Sequence, residues 1–170
     1  MKNTRDKTLN VLVVDDDPEN LDAAKQYFHT RKDVRVNYST NYHHAKQMLE
    51  SKVYAFALFD YQLPYEAGME PSEEYGLHLA SRATLQALPW ALITSGLGHH
   101  HKTSAFVRYA WTGTPEFHEI MDTPKDSTDA WKEVYETLEK NTPNIHEIVT
   151  AKKRYLKHVH KMYVDKKVIE

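Results

Sequence analysis

Apolar and polar positions along this chain fall into blocks whose period switches between that of a strand and that of a helix. Val11 to Asp15 and Tyr54 to Phe59 are short, nearly continuous apolar runs, the pattern of strands buried on both faces. Between them, Asp17 is placed to cap a helix with Pro18 at its first position, and Leu21, Ala24 and Phe28 fall on one face. Val34 to Tyr38 reads as a second strand, and Asn41 to Ser51 as a second helix with Ala45, Met48 and Leu49 on one side. Pro64, Gly68 and Pro71 then break the chain in a long loop before a helix from Ser72 to Leu85. Trp90 to Thr94 is the fourth strand, closed by Gly96 and Gly98, and His101 to Trp111 is a helix presenting Phe106, Val107, Ala110 and Trp111. Phe117 to Met121 is the fifth strand. Asp129 to Lys140 is the fifth helix, with Trp131, Val134, Tyr135 and Leu138 toward the core.

Five βα units with short connections predict an α/β protein built on a doubly wound, five-stranded parallel sheet. A sixth helix is expected past Asn141, capped by Thr142 with Pro143 at its first position. Ile145, Ile148, Tyr155, Val159, Met162 and Ile169 repeat there at three-four spacing. The expected organisation is a domain over residues 8–140 and a basic amphipathic helical extension over 141–170, lying outside the sheet.

The 170 residues suit one sizeable core plus an appendage. The chain has no cysteine, which excludes disulfide and thiol chemistry and leaves any zinc site to His and carboxylate alone. Met1 to Asn10 is polar and charged with no apolar signal core, and no apolar run reaches membrane-spanning length, so a cytoplasmic protein without a membrane span is expected. The net charge of −2 hides an asymmetry: residues 151–170 hold seven Lys or Arg against Asp165 and Glu170, a net +5, which leaves −7 on residues 1–150.

Both apolar runs end in acid, the first at Asp15-Asp16-Asp17 and the second at Asp60. Ligands of open parallel sheets collect at the carboxyl ends of strands, so these carboxylates are expected to meet in one crevice. Val-Leu-Val-Val-Asp-Asp-Asp-Pro at 11–18, Asp60-Tyr-Gln-Leu-Pro64 with Gly68, and Leu92-Ile-Thr94-Ser95-Gly96 follow the strands in order. Together they resemble the receiver domains of two-component response regulators, a flavodoxin-like fold, over about residues 8–140.

The resemblance implies that Asp60 accepts a phosphoryl group from a sensor histidine kinase or phosphotransfer protein. Asp15, Asp16, Asp60 and the backbone carbonyl of Gln62 would hold Mg2+, and Thr94 would donate to a phosphoryl oxygen and shift toward it as the switch. Ser95, being small, would leave the acceptor open. The residue types agree with this: clustered carboxylates repel one another unless protonated or bridged by a cation, and magnesium takes hard oxygen ligands while keeping several waters. A carboxylate is also a competent nucleophile toward phosphorus.

Three departures from the family pattern stand out. The family's lysine, usually followed by proline, is replaced by Thr123-Pro124-Lys125, and Lys125 is taken to fill the role through a shifted loop. The aromatic residue expected three positions earlier is absent whether counted to Asp122 or to Ile120. The loop after Asp60 carries extra residues around 69–75, placed after Gly68 because Pro64 and Gly68 keep the family spacing.

The eleven histidines, including His99-His100-His101, lack a spacing that fixes a metal site and read as surface residues. The basic tail carries no DNA-binding motif and suggests self-association, with a homodimer as a candidate, or docking on a partner. The expected function is therefore that of a phosphorylated signalling protein acting on a downstream protein through contacts, not an enzyme beyond slow self-dephosphorylation. The alternative is a pseudo-receiver, an interaction module that does not switch by phosphate. A phosphatase of the haloacid dehalogenase type would want a second acid two residues after the nucleophile, where Gln62 stands.

Overall fold

The computed structural model describes residues 8–94 and 118–167. Its strands are β1 Leu9–Val14, β2 Val34–Ser39, β3 Phe56–Asp60, β4 Trp90–Thr94 and β5 His118–Asp122. They form one parallel sheet in the order β2-β1-β3-β4-β5. The described helices are α1 Pro18–His29, α2 Tyr42–Ser51, α3 Glu73–Leu85, α4 Thr128–Asn141 and α5 Ile145–Lys167. The helix expected over His101 to Trp111, together with Ser95, Gly96, Gly98 and His99–His101, lies outside the described residues.

Strand alternation divides the core into two layers. Val11, Val13, Phe56, Leu58, Ala91 and Ile93 face one side and pack against Leu21, Ala24 and Phe28 of α1 and Trp131, Val134, Tyr135 and Leu138 of α4. Leu12, Val14, Ala57, Phe59, Trp90 and Leu92 face the other and meet Ala45 and Leu49 of α2 and Leu79, Ala80 and Ala83 of α3. Every residue of β3 and β4 is buried, which is why these segments read as continuous apolar runs rather than alternating ones.

Helix starts follow their caps. Asp17 accepts from Glu19 N–H at 2.8 Å with Pro18 in the first turn, and Asn41 accepts from His44 N–H at 2.9 Å. Ser72 and Ser127 cap α3 and α4 in the same way, each satisfying an N–H the helix cannot bond internally. On the α1/α4 side, Arg31 binds Asp33 at 2.7 Å and Glu139 at 2.9 Å while its guanidinium lies 4.8 Å from the Tyr135 ring centre. One side chain thus ties the end of α1 to α4.

The last helix differs from expectation in two respects. It begins at Ile145 rather than Pro143, because Thr142 is buried as the closing residue of α4, its N–H donating to Glu139 O at 3.2 Å, and Asn144 O accepts the N–H groups of Glu147 and Ile148. Its first two turns also join the domain, since Ile145 and Val149 are buried in the α1/α4 layer. From Ala151 to His158 every residue but the half-buried Lys152 is exposed, so the helix leaves the body after Val149. No described helix is long and apolar enough to cross a membrane.

Candidate functional site at the carboxyl edge of the sheet

Asp15 and Asp16 follow β1, Asp60 ends β3, Thr94 ends β4, and Lys125 lies on the segment after β5. Parallel pairing in register brings these ends to one edge: Val14 pairs with Phe59, Asp60 with Ile93, and Thr94 with Asp122. One carboxylate oxygen each from Asp15, Asp16 and Asp60 lies within 4.8 Å of the others. Asp15 is fully buried, Asp60 8 % exposed and Thr94 4 % exposed, so the site is a closed-in corner with Asp16 at its half-exposed lip.

Lys125 reaches the same corner from the segment after β5. Its buried ammonium is 2.8 Å from Asp15 Oδ2 and in direct contact with Asp60 Oδ1. Two hydrogen bonds position its loop: Trp131 Nε1 donates to Lys125 O at 2.8 Å, and Thr123 N–H donates to Thr94 O at 3.0 Å. The second prolongs the β4–β5 ladder past its last residue, so Pro124, which has no N–H to give, falls just after the ladder ends.

Burial pushes the Asp60 carboxyl up to about 7, opposed by Lys125 and reinforced by Asp15 and Asp16. Burial likewise raises Asp16, with its own backbone N–H pulling the other way and Asp15 adding to the rise. Burial works against the Lys125 ammonium, but Asp60 and Asp15 more than offset it and hold Lys125 above the ordinary lysine value. With all three carboxylates in their ionised form, the state a bound cation would favour, one ammonium would leave two negative charges uncompensated in the corner. That residual charge matches one divalent cation, and an all-oxygen donor set with an open lip suits magnesium, which retains water. The residues present fit such an ion.

Three further residues matter here that sequence reasoning does not place at the site, Trp131 reading only as a core residue. Asn20 Nδ2 donates to Asp15 Oδ1 at 3.0 Å, as does Asp17 N–H at 3.0 Å, so the first turn of α1 orients the buried acid. Trp131 holds the lysine loop as well as the core. Gly76 lets α3 approach the end of β3, because a Cβ there would stand 2.5 Å from Asp60 O and 2.3 Å from Tyr61 O. Asparagine in a first helical turn gives the one legible signal among these.

The loop ahead of Gly76 is closed at its base. Gly68, taken as the spacing landmark, sits in open space with φ +87, while the chain is pinched by an antiparallel bridge between Leu63 and Ser72, with N–H···O distances of 3.2 and 2.9 Å. The closed loop therefore spans residues 64–71. This loop is docked on the start of α2, where Tyr42 and His43 N–H groups donate to Pro64 and Tyr65 carbonyls at 3.0 Å. Tyr42, Tyr65 and Tyr75 stack beside it with ring centres 5.2 to 5.7 Å apart.

No family model matches this sequence, and no curated protein matches it. Solved structures do. A response regulator receiver domain protein (CheY-like) from Methanospirillum hungatei JF-1 is 21 % identical with a TM-score of 0.54, covering 80 % of this chain and 98 % of that one. The non-phosphorylated HemR receiver domain from Leptospira biflexa is 20 % identical with a TM-score of 0.53, covering 78 % of this chain and 93 % of its own. A structure described as adenylate cyclase from Rhodopirellula baltica is 18 % identical with a TM-score of 0.57, covering 88 % and 98 %. The chain has the receiver fold.

Proposed function

We propose that this protein is a response regulator receiver that takes a phosphoryl group onto Asp60 from a phosphohistidine of a kinase or phosphotransfer partner. The observation that carries the reading is the convergence of Asp15, Asp16, Asp60 and the Lys125 ammonium on one buried corner at the strand ends. In the transfer, an Asp60 carboxylate oxygen attacks phosphorus in line with the leaving imidazole nitrogen. The P–N bond breaks, and Asp60 becomes an acyl phosphate. Magnesium, held by Asp15, Asp16, Asp60 and the Gln62 carbonyl, would neutralise charge on the transferring group.

The protein's own groups do the rest. Lys125 already touches the acceptor, so one phosphoryl oxygen can take over its contact. Thr94, one residue beyond the β4 position that pairs with Asp60, is placed to donate its hydroxyl to another. Asn20 keeps Asp15 turned into the corner. Movement of Thr94 toward the new dianion would be a local charge event biasing a two-state surface, read by a downstream protein. Residues 8–140 form the receiver in this reading, and 141–170 a helical extension seated on it through Ile145 and Val149. A cytoplasmic setting suits such a module.

The pseudo-receiver alternative rested on a displaced lysine and a missing aromatic, and contact of Lys125 with Asp60 weighs against the first of these. The test is incubation of the full chain with magnesium and acetyl phosphate, read by intact mass. The expected result is addition of one phosphoryl group, lost with EDTA and absent in Asp60→Asn. No addition from acetyl phosphate or from phosphorylated histidine phosphotransfer proteins would overturn the phosphoacceptor reading in favour of a non-switching module.

A further inference from the structure

A groove of about 540 Å³ opens at the opposite end of the sheet from Asp60. It lies where Val53 and Tyr54 lead into β3 and Leu88 leads toward β4, between the C-terminal ends of α2 and α3 and the emerging part of α5. Five residues of strand at about 3.3 Å each separate it from the acidic corner. Its floor and walls are apolar, from Leu49, Val53, Leu88, Leu85, Tyr155 and Leu156. Three of these are open to solvent to an unusual degree for their type: Leu85 is 89 % exposed, Tyr155 67 % and Leu156 51 %. Exposed apolar side chains gathered round one concavity mark an interaction surface, whereas scattered ones do not.

The charge around the groove is one-sided. Glu50, its one acid, is occupied by Arg82 at 3.1 Å. Lys52 and Lys152 line it as well. Lys152 donates to Ala87 O at 2.7 Å, leaving two of its three N–H groups for another acceptor. Burial lowers this ammonium to about 8, a penalty that a nearby carboxylate would reverse. A basic rim on a body whose first 150 residues sum to −7 selects an anionic partner.

We propose that this groove docks an acidic amphipathic helix of a partner protein, with its apolar stripe on Leu85, Tyr155 and Leu156 and its carboxylates on Lys52 and Lys152. A second copy of this chain is a poorer occupant, because its own α5 would bring seven Lys or Arg against Glu147 and Asp165 toward an already basic rim. A concave apolar trough also suits a helix better than a flat bilayer or a duplex backbone.

The test uses fluorescence anisotropy on the full chain. The probe is a labelled helical peptide with Leu at i, i+3, i+4 and i+7 and Glu on its flanks, and its twin carries Lys in place of Glu. Saturable binding of the acidic peptide is expected, about ten-fold or more tighter than the twin. It should be lost in Leu85→Asp and weakened about five-fold in the double variant Lys52→Gln, Lys152→Gln. Leu85 is so exposed that its substitution leaves the far-UV circular dichroism unchanged. The proposal is overturned if neither peptide saturates, if both bind equally, or if Leu85→Asp binds like the parent. It is overturned as well if sedimentation shows a dimer that Leu85→Asp dissociates, or if duplex DNA or anionic vesicles, and not the peptide, require Leu85.

Discussion

The Lys125 ammonium lies 2.8 Å from the buried carboxylate of Asp15, so a residue standing after a proline on the far side of the sheet reaches the first acid of the site. That contact makes the corner a coupled charge system in which removing either sign has a definite consequence.

Removing the cation leaves three carboxylates without compensation. Lys125→Met should destabilise the metal-free protein by about 3 kcal/mol, the usual result of orphaning buried charge. Added magnesium should restore more stability to the variant than to the parent. Urea unfolding with EDTA and with excess magnesium checks this.

Removing the Asp60 carboxylate has the opposite sign. Asp60 is held in a site that disfavours its ionised form, so Asp60→Asn should raise stability in EDTA at pH 8 by about 1 kcal/mol. Weaker magnesium affinity should accompany the gain. Thermal melts paired with calorimetric titration of the ion would show both.

Gly76→Ala should be among the most damaging small substitutions in the chain. A methyl 2.3 Å from Tyr61 O and 2.5 Å from Asp60 O meets backbone rather than a flexible side chain, so α3 must move. A loss of about 2–3 kcal/mol is expected, and, on the proposed function, slower transfer to Asp60 because its strand shifts. Denaturant midpoints and phosphorylation rates of this variant report on the two effects separately.

Arg31→Ala removes a link between α1 and α4 together with the stacking on Tyr135. About 1–2 kcal/mol should be lost, more than for an ordinary surface pair because the arginine is only 21 % exposed. A double-mutant cycle with Glu139→Ala isolates the inter-helix part.

Lys152 gives a pH signature. Its folded pKa of about 8 lies below that of an unfolded lysine, about 10.4, so between these values the unfolded chain binds more protons and stability rises with pH. Below 8 the penalty is fully present. Chemical unfolding at pH 7.5, 8.5 and 9.5 should show a steeper rise in the parent than in Lys152→Gln, by a few tenths of a kcal/mol for this half-exposed group.

Much of this architecture is legible from local pattern because each local preference agrees with the fold. Continuous apolar runs mark β3 and β4, and Asp17, Asn41 and Ser72 sit where helices begin. The acids at the ends of such runs converge because parallel pairing leaves them no other edge. What pattern could not deliver depends on packing across the chain. Gly76 matters only because α3 lies against the Asp60 backbone, a closeness that no spacing along the chain reveals. The entry to α5 was misplaced for a related reason: Thr142 and Pro143 look like a cap and a first turn, but burial of Thr142 ends the preceding helix.

The Leu63–Ser72 bridge has an evolutionary corollary. By pinning both ends of 64–71 together, it turns that segment into a closed appendix whose length is uncoupled from the spacing of Asp60 and Gly76. Beyond the docked Pro64 and Tyr65, a change of length there need not move the acid corner.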